Sequence, residues 1–152
     1  MLTTYPRPAT FLLLTAALLM AADKKSDRDS FQGNWKLTSA ETGNGKEPAD
    51  EVESATLLIK DDKMTFSMTV NNERKSQELI FKLDEAKSPR QIDITEGQAG
   101  DVGAVHLGIY KLEGDTLTIC KSHPPADRPA DFTTKPGEKW PMIIVLKRQK
   151  SE

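Results

Sequence analysis

The sequence has a single cysteine, Cys120, so no disulfide can form within the chain and a packed core must supply the stability unaided. It has two histidines, His106 and His123. Set beside Cys120 and Asp127, they match no zinc pattern, in which paired ligands recur roughly two to four residues apart. No metal and no cofactor is therefore expected. Basic residues are not in excess: 21 Lys and Arg stand against 23 Asp and Glu, which excludes the basic face that nucleic acid requires. Charges of both signs are interspersed, as in Lys60-Asp61-Asp62-Lys63, the pattern of an ordinary solvated surface. The Gly-x-Ser-x-Gly nucleophile elbow is missing, and the glycine-rich run Gly97 to Gly103 lacks the strand-to-helix setting of a phosphate cradle. Turn and surface roles account for Asp93, Asp101, Glu113 and Asp115. No catalytic residue is assigned, and the chain is not expected to be an enzyme.

One long apolar run is present, Phe11 to Ala22, preceded by Arg7 and followed abruptly by Asp23-Lys-Lys-Ser-Asp-Arg28. It is shorter than the ~20 residues that a membrane-spanning helix needs, and it ends in small residues, so 1–22 reads as an export signal. No cysteine follows it to carry a lipid, and the processed chain is expected to be free of the membrane, periplasmic or extracellular. Cleavage there removes Arg7 alone among the charges, leaving 20 basic against 23 acidic residues and a net charge of −3. About 130 residues remain, enough for one domain. Residues 23–30, polar and without periodicity, read as a flexible leader, and 31–150 as the domain.

That domain reads as short β-runs separated by turn signals. Eight are expected: 34–40, with Trp35, Leu37 and Ser39 on one face; 55–60; 63–70; 76–83; 91–95; 105–112; 116–121; and 140–148. A single helical turn is expected over 49–53. Met64, Phe66, Met68 and Val70 alternate with polar residues, a half-buried strand's signature. Asn71-Asn72 suits a tight hairpin, and Glu113-Gly114-Asp115 reads as a three-residue hairpin loop. A proline-rich segment, 123–137, precedes a last strand that is apolar on both faces over 142–146, so an outer cover is expected there, from this loop through Phe132. Cys120, inside a strand-like run, reads as a small buried hydrophobe. Sequential antiparallel strands with short links are solved most economically by an all-β, eight-stranded up-and-down barrel closed between the first and last strands, an open sandwich being the alternative.

Gln32-Gly-Asn-Trp-Lys36 resembles the glycine-x-tryptophan opening of lipocalin-type (calycin) barrels, with Lys147 or Arg148 as the basic partner closing the last strand. Together with Leu107 to Cys120, Arg128-Pro-Ala-Asp-Phe132, Lys135-Pro-Gly137 and Val145-Leu-Lys-Arg148, it is similar to a family of small exported lipocalin-like domains with no established activity, abundant in planctomycete-type bacteria. The resemblance implies a barrel with Gly33, Trp35 and Arg148 at its closed end, the cation stacked over the indole. Trp35→Ala is then expected to cost about 3 to 5 kcal/mol, and Arg148→Ala, from stacking alone, about 0.5 to 2.

Eight strands enclose either packed side chains or one small ligand, and the scarcity of aromatics, 6% of residues, leaves both open. If a ligand is held, the expected contacts share the inward parity of neighbouring strands: Met64, Phe66 and Met68 with Leu79 and Phe81, and Tyr110 supplying a hydroxyl. If the interior is solid, the alternative is an interaction domain that docks a protein partner through the loop 124–136.

Overall fold

Alternating apolar residues and glycine- or asparagine-bearing turns give the chain its strands, and the computed structural model describes them over residues 25–97 and 103–150. The expected signal, 1–22, and the middle of the glycine-rich run lie outside the described residues. In chain order the elements are α1 (Asp27–Phe31), β1 (Gly33–Thr42), β2 (Gly45–Lys46), α2 (Ala49–Ser54), β3 (Thr56–Lys60), β4 (Lys63–Val70), β5 (Glu73–Asp84), β6 (Arg90–Glu96), β7 (Val105–Glu113), β8 (Thr116–Lys121) and β9 (Met142–Arg148). From β3 to β9 each strand pairs antiparallel with the next, and β1 pairs with both β3 and β9. Among the described residues this makes a closed, lipocalin-like barrel of eight strands, with β2 a two-residue tongue folded back on the end of β1. Closure leaves no long unpaired edge.

Turn chemistry sets the register. Asn71 and Asn72 take φ of 52° and 63° between β4 and β5, Asp61 takes 58° between β3 and β4, and Gly114 takes 59° between β7 and β8. Glu113 pairs with Thr116, so the last of these loops has two residues, Gly114 and Asp115, and Glu113 belongs to the strand. The Gln32 amide holds the Asp61 turn from both sides, accepting from its N–H at 2.7 Å and donating to its carbonyl at 3.0 Å.

Two expectations are corrected. Simple alternation placed Ser39 on the face of Trp35 and Leu37, but the pairing of β1 with β9 shifts register between Leu37 and Ser39. The bulge turns Ala40 and Thr42 inward instead, with Thr38 donating its hydroxyl to the Val145 carbonyl. The stretch 23–30, expected to be a flexible leader, contains most of α1. Ser26 caps that helix by accepting from the Asp29 N–H, and Phe31 at its end is fully buried. Phe31 lies 5.8 Å from Phe81 and 5.0 Å from Tyr110, ring centre to ring centre, which makes α1 the floor of the barrel.

Trp35 and Arg148 meet at the closed end of the barrel. Trp35 is fully buried and donates its Nε1 proton to the Phe31 carbonyl at 2.7 Å. Arg148 lies over the indole with Cζ 4.2 Å from the ring centre. Its Nη1 donates to the Gln32 carbonyl at 2.7 Å, Nη2 to the Ser30 carbonyl, and Nε to Asp115 at 3.1 Å. Gly33 adopts φ of +116°, and a Cβ there would stand 3.4 Å from Arg148 Nη1, so backbone conformation and guanidinium both favour glycine.

The proline-rich loop lies on the outside of the barrel. Arg128 donates to the carbonyls of Gly108 at 2.6 Å and Ile92 at 3.1 Å, and pairs with Asp93 at 2.6 Å. Phe132 sits 5.2 Å from the Lys111 ammonium on β7. Ile109, Thr118 and Cys120 point away from the barrel interior yet are buried. The outward Ile143 and Val145 of β9, for which the same cover was expected, are left half-buried. Burial, with the Asp131 carboxylate nearby, pushes the Cys120 thiol up to about 11 from an ordinary 9.0.

Trp35→Ala should lower stability by about 3 to 5 kcal/mol as a buried aromatic deletion. Arg148→Ala should lower it by about 2 to 4, more than stacking alone allows, because it also strands two carbonyls at the end of α1. Chemical denaturation measures both, and a loss under about 1 kcal/mol for Arg148→Ala would show that the guanidinium contacts are solvated. Cys120 gives a pH test. Its folded-state value lies above its unfolded one, so the thiol favours the fold fully below about pH 9 and that contribution is lost as the pH rises toward about 11. The stability of wild type relative to Cys120→Ala should fall across that window, and a flat difference would place the thiol in water.

Candidate functional site

Inward parity is the same along each strand, but the barrel interior is not uniform along its axis. At the α1 end Phe31, Trp35, Phe81 and Tyr110 fill it. Toward the other end, where β4 meets β5 and β6 meets β7, a cavity of about 330 Å³ remains. Its walls are Leu37, Leu57, Met64, Phe66, Leu79 and Ile94, with Ile119 and Ile144 completing the ring. Val52 of α2, itself buried, closes part of the mouth. Pro48 precedes the helix, and the Ser54 hydroxyl accepts from the Thr69 N–H and ties its end to β4.

Polar groups meet the cavity on two opposite sides. Glu47 and Glu51 approach from the α2 side, and α2 packs against β1 and β4. Glu96, His106 and Lys121 approach from β6, β7 and β8, across the barrel in the strand order. Gln77 and Lys139 complete the rim.

His106 is buried, 2% exposed, and both ring nitrogens face acceptors: Nδ1 the Ser122 carbonyl at 3.1 Å, Nε2 the Glu96 carboxylate at 2.7 Å. A neutral imidazole has one N–H. Each ring nitrogen of His106 thus has a partner at hydrogen-bonding distance. The pair therefore satisfies itself, and neither imidazole nitrogen is open toward the cavity. His106, which lines the cavity, clusters with His123 and Trp140, His123 stacked on Trp140 at 5.4 Å between centroids and His106 5.0 Å from His123. Lys121 Nζ lies 5.3 Å from the Trp140 ring centre. Burial holds the Lys121 ammonium below its usual range, opposed by the Glu96 charge.

Of the six expected ligand contacts, the structure brings Met64, Phe66, Met68 and Leu79 together on one wall of the cavity. It does not bring Phe81 or Tyr110. Both point inward as expected, but at the level of α1, where Phe81 packs on Phe31 and the Tyr110 hydroxyl donates to Asp27 at 2.8 Å. Asp27 also pairs with Arg90. The Tyr110 proton is thus held by α1, and burial together with the Asp27 contact raises its phenol above the usual range. Sequence reasoning passed over Glu96 and Lys121 and took from His106 only that it fits no zinc pattern. A continuation of inward parity one step past the apolar positions Ile94 and Ile119 reaches the first two. Among the described residues no three of His, Cys, Asp and Glu converge as metal ligands do, and no helix is long and apolar enough to cross a membrane.

No protein-family model, curated protein or solved structure matches this chain.

Tyr110→Phe separates the two ends of the barrel. It should cost about 1 to 3 kcal/mol, the worth of a hydrogen bond to a charged group, while leaving binding of any apolar compound in the cavity unchanged. A change in affinity without a change in stability would return Tyr110 to the cavity.

Proposed function

We propose that this chain is an exported, lipocalin-like binding module that holds one small apolar molecule in the open half of its barrel, and that it belongs with the small exported lipocalin-like domains its motifs resemble. The cavity carries the reading. At about 330 Å³ it lies at the small end of ligand pockets, and at the ~30 Å³ that a liquid water takes it accommodates roughly ten to a dozen non-hydrogen atoms. Its walls are almost wholly aliphatic or thioether, with polar groups confined to the rim, the usual division between affinity and orientation. Met64 and Met68 adapt to more than one shape of occupant. The reading is non-catalytic, since the one histidine at the cavity spends both nitrogens on Ser122 and Glu96. The proline-rich loop is engaged with the outer face of its own barrel through Arg128 and Phe132, which favours the cavity over the loop as the binding element.

Decan-1-ol and naphthalene, which match the cavity in size, should raise the melting temperature, with a stabilisation near 2.7 kcal/mol at a hundredfold excess over Kd. Leu79→Trp should abolish that shift without destabilising the free protein, because the indole enters existing space. In a filled interior the same substitution overpacks and costs about 1 to 3 kcal/mol. That cost, together with no shift from either compound, would sink the proposal.

A further inference from the structure

The cavity's rim is not neutral in its arrangement. The charges that face it divide by strand: Glu47 and Glu51 on the α2 side, and Glu96, His106 and Lys121 on the β6–β8 side, with Lys139 just before β9. Their states of compensation differ. Glu96 is already engaged by His106 at 2.7 Å. Glu51 is solvent-exposed and Glu47 half-buried, so water stabilises them at little cost. Lys121 is different. Its stem is the last inward position of β8, and its ammonium rests against the Trp140 ring. Among the described residues no carboxylate forms an ion pair with it. Beside an apolar cavity, a part-buried ammonium that among the described residues is supported only by an indole face and a carboxylate engaged elsewhere favours an added anion.

On the reading of the cavity as a ligand site, we propose that its occupant is an amphiphile of roughly ten to a dozen non-hydrogen atoms with a single carboxylate head, the apolar body lying among Met64, Phe66, Leu79 and Ile94 and the head against Lys121. A carboxylate supplies a counter-charge and accepts the ammonium's protons directly, a charge-assisted bond in a site from which the tail has expelled water. An amine head meets the like charge of Lys121 and is rejected on that side. A neutral hydroxyl gains the burial of its tail but not the ion pair. The same logic sets orientation: the α1 end is packed shut, so the head can only lie at the mouth.

The test uses three ligands with one chain length, decanoate, decan-1-ol and decylamine, titrated calorimetrically into the full chain at about pH 8. Decanoate should bind at least roughly tenfold tighter than decan-1-ol, the low end of what a hydrogen bond to a charged group contributes, and decylamine weakest of the three. Lys121→Met should erase the decanoate advantage while leaving decan-1-ol within about twofold of its wild-type affinity, and Lys121→Arg should restore most of it. Decanol binding equal to decanoate, or decylamine binding tighter than either, overturns the carboxylate assignment while the cavity reading stands. If none of the three binds, the cavity reading fails and this inference with it. Should Lys121→Met not fold, the order of the three ligands on wild-type protein decides the matter alone.

Discussion

Pairing of the first barrel strand with the last is the constraint on which the rest of this structure depends. A chain with one buried cysteine has no covalent staple, and a twisted sheet of eight strands left open would present two edges to solvent. β1 must therefore serve two neighbours, pairing with β3 over Gly33 to Lys36 and with β9 over Trp35 to Glu41. The bulge after Leu37 lies within the β9 ladder, one residue beyond the last pair with β3, where the strand changes from two partners to one. It bends β1 and turns Ala40 inward. A strand that ran straight would have put Ser39 into the core.

Closure also settles what happens at the α1 end. The last residues of a short helix leave carbonyls without intrahelical partners, and a cation is the group best suited to meet them. Arg148, at the end of the final strand, donates to the carbonyls of Ser30 and Gln32 while stacking on Trp35 and pairing with Asp115 from the β7–β8 turn. One side chain thus ties the helix, the first strand, a hairpin turn and the last strand. On the other side of the same helix Asp27 ties Arg90 and Tyr110. The two latches fix α1 across the barrel floor and place Phe31 as its plug.

Most of the strands were legible because alternation and turn residues agree: β4 and β8 have the expected bounds, and Asn71-Asn72 forms the expected hairpin. Parity was legible too, so Met64, Phe66, Met68 and Leu79 were found for the cavity. Axial level was not. Phe81 and Tyr110 share that parity, but whether an inward residue meets the cavity or the plug depends on strand stagger, which closure imposes and no single strand encodes. α1 was missed because Asp27-Arg-Asp-Ser-Phe31 carries no helical periodicity. What orders it is a set of contacts with residues such as Arg90, Tyr110 and Arg148, far away in sequence. The pairing of Glu96 with His106 was hidden for the same reason, since each side chain's partner comes from another strand.

The cavity itself follows from how side-chain volume is spread along the barrel axis. The chain has nine aromatic residues by composition, two Trp, two Tyr and five Phe. Four of them, Phe31, Trp35, Phe81 and Tyr110, gather at the α1 end, and among the other described residues only Phe66 of the aromatics faces the cavity. The ring around the other half is built from Leu, Ile, Met and Ala, and β1 contributes Ala40 where its bulge turns the strand inward. An eight-stranded barrel has nearly the same girth at both levels, so a level filled with smaller side chains is left with space that packing at interior density does not allow to collapse. A barrel closed on itself cannot shrink at one end by sliding a single strand, because every strand is paired on both sides. The void is therefore a consequence of placing the aromatic volume where the floor must be sealed. The first charged side chains above it, Glu96 with His106 and Lys121, are the groups any molecule that fills the space must meet.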